Sequence, residues 1–134
     1  MNKIVLDTNI LIYSIDKNSI YFDFSNKLIN SYDCFITSKN ITEFVNVLSK
    51  NKNIEYSFIE KKFLSLYNNF NILYINKSSI EIFKKFVVKY KPVGNKIFDI
   101  EIASIMLSNE IDTIGTLNKS DFENISEIRI ISAY

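Results

Sequence analysis

The stretch Ile4-Val5-Leu6-Asp7-Thr8-Asn9-Ile10 constrains the chain more than any other. Its first three residues are continuously apolar, as a strand buried on both faces of a parallel sheet requires. From Ile10 to Ile15 the residues are mostly apolar and have room for about two helical turns, with Thr8 or Asn9 available as the N-cap. Asp7 therefore stands where a buried strand ends and a helix begins. In open α/β sheets ligands bind outside the carboxyl ends of the strands, so a carboxylate placed there faces a crevice. A plainer use of Asp7, as a capping or turning residue, fits the same position.

The rest of the chain alternates in the same manner. A helix is expected over Ile20–Ile29, with an apolar stripe through Ile20, Phe24 and Leu28, and a strand over Cys34–Thr37. Ser38 or Asn40 can cap a helix over Ile41–Lys50, and the polar break Asn51-Lys52-Asn53 separates it from another over Tyr56–Tyr67. A strand over Ile72–Ile75, a lysine-bearing helix over Ser78–Tyr90 and a loop at Lys91-Pro92-Val93-Gly94 come next. A strongly apolar helix over Lys96–Ser108 and strands over Asp112–Gly115 and Ile128–Ser132 complete the pattern. This is an α/β fold with a mostly parallel sheet. The 134 residues suit one domain, 1–134, and two glycines and one proline leave little room for flexible linkers.

What the composition excludes narrows the chemistry. There is no histidine and one cysteine, Cys34, which sits in an apolar run and is expected as a buried core thiol. Catalysis by Ser-His-Asp or Cys-His, imidazole zinc sites and thiolate clusters are ruled out. Any catalysis falls to carboxylates, hydroxyls, lysines, or a hard metal held by oxygen. Arg129 is the only arginine, so lysine supplies the remainder of the sixteen basic side chains. Phosphate binding would then use point-charge contacts without the bidentate geometry of arginine. No basic-apolar-small leader opens the sequence and no apolar stretch approaches a membrane span, so a cytoplasmic protein with no membrane partner is expected.

Three further acids bear on function. On the 96–108 helix, Glu101, Ser104 and Ser108 share the stripe expected to face solvent, while Asp99 points to the opposite side with Ile102, Ala103 and Met106. A carboxylate there needs a partner or a cation, although a first-turn acid bonded to free backbone N–H groups is a sufficient structural account. Glu43 lies between the apolar arc of its helix and the polar one, and periodicity alone makes it an ordinary exposed glutamate. Asp121 fits a capping box formed by Ser120-Asp121-Phe122-Glu123. Asn118 follows a strand directly, as Asp7 does.

Together these segments resemble a known family. Leu-Asp-Thr-Asn-Ile-Leu at 6–11, Ile-Thr-Glu-Phe at 41–44, Ile-Phe-Asp-Ile-Glu-Ile-Ala at 97–103 and Gly-Thr-Leu-Asn-Lys-Ser-Asp-Phe at 115–122 occur in the order of a PIN domain. The chain is similar, over essentially its whole length, to the small PIN proteins of the VapC toxin type. The resemblance implies a three-layer α/β/α domain and an endoribonuclease that uses Mg²⁺ or Mn²⁺ at clustered acids. It implies an RNA substrate, a cognate antitoxin as partner and a homodimer. By motif matching, Asp7, Glu43, Asp99 and Asp121 take the places of the catalytic acids. Asp7 and Asp99 would bind metal directly, and Glu43 and Asp121 directly or through water. Asn9, Thr116 and Asn118 match the supporting polar positions. The arginines common near such sites and the frequent proline of the last strand are missing. RNA gripping is therefore expected from a lysine track, Lys84, Lys85, Lys89, Lys91 and Lys96, with Lys91 and Lys96 nearest Asp99 and Tyr90 available for stacking.

Two other functions fit parts of this pattern. An aspartyl-nucleophile phosphatase also begins from an aspartate after the first strand, but it needs a second acid where this chain has Asn9. A PIN-like fold kept only to bind RNA or a protein partner would need none of the acids.

Overall fold

The computed structural model describes residues 2–133. Its elements run β1 (Lys3–Leu6), α1 (Thr8–Tyr13), α2 (Phe22–Ser31), β2 (Asp33–Thr37), α3 (Ser38–Ser49), α4 (Tyr56–Asn69), β3 (Asn71–Leu73), α5 (Lys77–Tyr90), α6 (Lys96–Ser108), β4 (Thr113–Gly115), α7 (Lys119–Phe122) and β5 (Arg129–Ile131). The five strands form one sheet in the order β3-β2-β1-β4-β5, and every neighbouring pair is parallel. β1 is central and buried on both sides, as its apolar run requires. Val5 packs into a core with Ile100, Ile105, Met106 and Phe122 on the α5–α6–α7 side. Ile4 and Leu6 point the other way, to Leu11, Leu28, Phe44 and Ile59 on the α1–α4 side. The period-2 alternation of one strand thus divides the molecule into two cores and three layers.

The chain leaves β1 towards β2 and β3, then returns to the opposite side of β1 to form β4 and β5. The direction of winding reverses between β1 and β4, which opens a crevice at their carboxyl ends. There Leu6 pairs with Gly115, and the Asp7 amide donates to the Gly115 carbonyl at 2.8 Å. A Cβ on Gly115 would meet Leu28 Cδ1 at 3.1 Å and Leu6 Cδ2 at 3.3 Å. Both neighbours are side-chain ends, so alanine is accommodated by small shifts. Gly115→Val should cost about 1–3 kcal/mol by overpacking, checked by urea unfolding of the variant beside the parent.

Several local expectations are corrected. Asp7, not Thr8 or Asn9, caps α1, because its extended backbone leaves its carboxylate free to accept from the Thr8 amide. Ile20 lies before α2 and is 82 % exposed, so the apolar stripe of that helix does not include it. α3 begins at Ser38 with Thr37 as its cap, and Asn40 serves as the third helical residue of the capping box. Tyr74 and Ile75 lie beyond β3 and are exposed. The stripe assigned to solvent on α6 is not one, since Ser104 is 1 % exposed. Its hydroxyl donates to the Ile100 carbonyl at 2.7 Å, which satisfies it inside an apolar helix. Cys34 is buried, and burial followed by the nearby Asp33 pushes its thiol up to about 11. No helix among the described residues is long and apolar enough to cross a membrane.

Candidate active site

Asp7, Asn9, Glu43, Asp99, Asn118 and Asp121 line a single cleft of 640 Å³ at the carboxyl ends of the strands, together with Lys39, Thr42, Asn46, Asn95, Phe98 and Ile102. Two helices build its walls. Lys39, Thr42, Glu43 and Asn46 recur every three or four residues on α3, and Asn95, Phe98, Asp99 and Ile102 do the same across the start of α6. Asp7 and Asn9 come from the β1–α1 turn, and Asn118 and Asp121 from the segment after β4.

Hydrogen bonds tie the β1 and β4 ends together. Thr116 Oγ1 donates to Asp7 Oδ2 at 2.8 Å, and the Asn118 amide donates to Thr116 Oγ1 at 3.0 Å. The Asn9 side chain bridges the same two segments: its Nδ2 donates to Asp7 Oδ2 at 3.3 Å, and its Oδ1 accepts from the Leu117 amide at 3.2 Å. With Thr8 N–H on the other oxygen, Asp7 is fixed in one orientation. Asn40, which is fully buried, locks the next strand end. Its Oδ1 accepts from the amide and hydroxyl of Thr37, each at 2.8 Å, and its Nδ2 donates to Thr8 Oγ1 at 3.0 Å.

The charge in the cleft is frustrated. Burial is the main force raising Asp7 from 3.8 to about 6; bonds from Thr116 and Thr8 oppose it, and Glu43 and Asp121 add to it. Asp99 rises to about 7 through burial first and the Asp121 charge second, with Lys96 opposing and Asp7 and Glu43 reinforcing. Among the described residues no donor hydrogen-bonds the Asp99 carboxylate, so a first-turn acid paired with backbone N–H groups does not describe it. Nor does the Ser120 capping box form: Ser120 lies inside α7, and its cap, Asn118, makes no side-chain capping bond.

Among the described residues no three carboxylates stand close enough to chelate one ion by themselves. An all-oxygen donor set under mutual repulsion nevertheless suits Mg²⁺, which is commonly held by one or two carboxylates and keeps several waters. Asp7, anchored by its hydrogen bonds, and Asp99, with none, are the residues that would hold it.

Three lysines of the expected track, Lys89, Lys91 and Lys96, make contacts within the protein. Lys96 donates to the Asp121 and Ser120 carbonyls at 2.7 and 3.0 Å, and Lys91 to the Val88 carbonyl at 3.2 Å. Lys89 and the Tyr90 hydroxyl are both bonded to Glu127, whose carboxyl drops to about 2: burial opposes this, and the Tyr90 and Lys89 bonds outweigh it. Lys39 and Asn40, which sequence reasoning gave no site role, lie two and three residues beyond the end of β2, so attention to the first turn after that strand end, and not only to the residue directly following it, would have found them.

The PIN domain family matches residues 4–128. No curated protein matches the chain in sequence. Among solved structures, VapBC2 from Rickettsia felis, bound to a DNA fragment from its promoter, aligns with 20% identity over 98% of this chain and 99% of that one, at a TM-score of 0.78. VapBC-1 from nontypeable Haemophilus influenzae aligns with 22% identity over 97% of both chains at 0.74. VapC20 of Mycobacterium tuberculosis, a sarcin-ricin loop cleaving toxin, aligns with 12% identity over 83% of this chain and 86% of that one at 0.65. With a family match across nearly its whole length and a strand order that puts Asp7 at the crevice, the chain belongs to the PIN domain family.

Proposed function

We propose that this protein is a divalent-metal-dependent endoribonuclease, the toxin of a toxin–antitoxin pair, which hydrolyses RNA phosphodiester bonds in the cleft between α3 and α6. The observation that carries this reading is the raised pKa of two carboxylates, Asp7 and Asp99, in one open cleft with Glu43 and Asp121. Burial first and the neighbouring carboxylates second disfavour the charged forms there, and a bound divalent cation would offset both. The toxin names of the structural neighbours support an antitoxin partner and RNA as substrate.

In this reading Asp7 and Asp99 hold Mg²⁺ or Mn²⁺, and Glu43 and Asp121 complete the shell directly or through water. An ion held there supplies Lewis acidity for phosphodiester hydrolysis. Thr116 and Asn9 keep Asp7 in its orientation. Lys96 draws the Asp121 backbone towards the start of α6. Glu43, on the facing wall, orients and deprotonates the attacking water.

A PIN-fold domain that binds RNA without cutting it is favoured by one observation, the lack of a ready three-carboxylate cluster among the described residues. Incubating the protein with single-stranded RNA in Mg²⁺, in Mn²⁺ and in EDTA decides between them. Cleavage is expected with either ion and none in EDTA. Asp7→Asn should lower the rate by about 10²–10³-fold, the range for losing one strong electrostatic contact to the transition state. Intact RNA in both metals would leave the binding domain as the function.

A further inference from the structure

Lys39 is the one basic side chain among the described residues that lines the acid cleft. It sits in the first turn of α3, where a cation opposes the helix dipole, so the position is not explained by helix stability. Two groups on α6 hold it. The ammonium lies 3.8 Å from the centroid of the Phe98 ring and 3.7 Å from Glu101 Oε1. The second distance is too long for a hydrogen bond, and Glu101 Oε1 is buried without a hydrogen-bond partner among the described residues. The ring attracts the charge without consuming a donor. Lys39 therefore carries a fixed positive charge whose three N–H donors make no hydrogen bond among the described residues. Lys96, by contrast, is committed to two carbonyls.

We propose that Lys39 grips a backbone phosphate of the RNA strand beside the acids, with Phe98 and Glu101 as positioning residues that aim its ammonium. The identity of the strand rests on the nuclease reading. A phosphodiester approaching four carboxylates is repelled, and a cation on the cleft wall offsets that repulsion at the point of entry. The Lys39 side chain is 30% exposed and so reachable from solvent, and Phe98 beside it is exposed.

The test is binding of a labelled oligouridylate to the full chain at several KCl concentrations in Mg²⁺, in the Asp7→Asn background, with cleavage by the unaltered protein measured in parallel. Lys39→Gln should weaken binding by about 10–100-fold, as for a lost charge-assisted hydrogen bond. It should also flatten the log Kd against log[salt] slope by about 0.7, the value for one contact to a single strand. Lys39→Arg should restore most of the slope. Phe98→Leu should weaken binding by about 2–3-fold, from loss of the cation–π contact. Lys61→Gln, an exposed lysine on α4, should change neither quantity. An unchanged slope in Lys39→Gln, an equal loss in Lys61→Gln, or no binding by the Asp7→Asn background overturns the assignment. A lost slope in Lys39→Gln without cleavage by the unaltered protein would uphold the phosphate grip and remove the nuclease reading.

Discussion

Asp99→Asn should abolish metal-dependent cleavage and at the same time stabilise the metal-free protein. Asp99 titrates at about 7 in the fold against 3.8 ordinarily, and Asp7 at about 6. A carboxyl whose pKa is raised by folding contributes stability that is fully present below the unfolded value. That contribution is lost as pH rises through the folded value. Metal-free protein should therefore melt at progressively lower temperature as pH rises from about 4 through 6 to 7. Removing the charge at 99 should recover about 1–2 kcal/mol at neutral pH, once solvent screening of a half-exposed carboxylate is allowed for. Added Mg²⁺ should raise the melting temperature of the parent and leave the variant nearly unmoved. Thermal melts across this pH range, with and without Mg²⁺, check the sign. A variant that melts well below the parent in EDTA would make Asp99 a structural residue.

The second large effect is expected at Asn40, a residue with no charge and no exposed surface. Asn40→Ala removes the acceptor for both the amide and hydroxyl of Thr37 and the donor to Thr8. It removes the returning half of the α3 capping box, while the Thr37 cap itself stays, and leaves polar groups buried without partners, together costing about 2–4 kcal/mol. The melting temperature should fall by roughly 6–15 °C. Thr8 provides the amide that fixes Asp7, so cleavage should weaken even below the melt. A variant that melts within a degree or two of the parent would mean the bonds around Asn40 are replaced by water.

The architecture was legible in the sequence because each buried strand was a short apolar run and the breaks between them were polar. Asp7 was found by its place at a strand end, and Asp99 by its sector on the 96–108 helix. The failures have definite causes. Helical periodicity presumes one wet face and so places Ser104 in solvent, while α6 is covered around much of its circumference and satisfies the hydroxyl within its own turn. Residue type suggests Asn40 as a cap, because the capping box here uses asparagine where glutamate or glutamine is usual. Glu43 looked exposed because the α3 wall faces a cleft, and periodicity cannot distinguish a cleft from open water. That Lys96 and Lys91 bond to carbonyls is a separate matter, neither for nor against a role with RNA, and it is invisible in sequence because carbonyls leave no trace in residue type.

The bond between Thr116 and Asp7 joins positions 109 residues apart. During translation β1 is made first, yet the side of it that faces the crevice stays open until β4 emerges from the ribosome. At ~5–20 residues per second that delay is roughly 5–20 s. A chain made only as far as α6 has both helical walls but lacks Asp121 and the Thr116 clasp, so the acid cleft is complete only once the segment after β4 has been made.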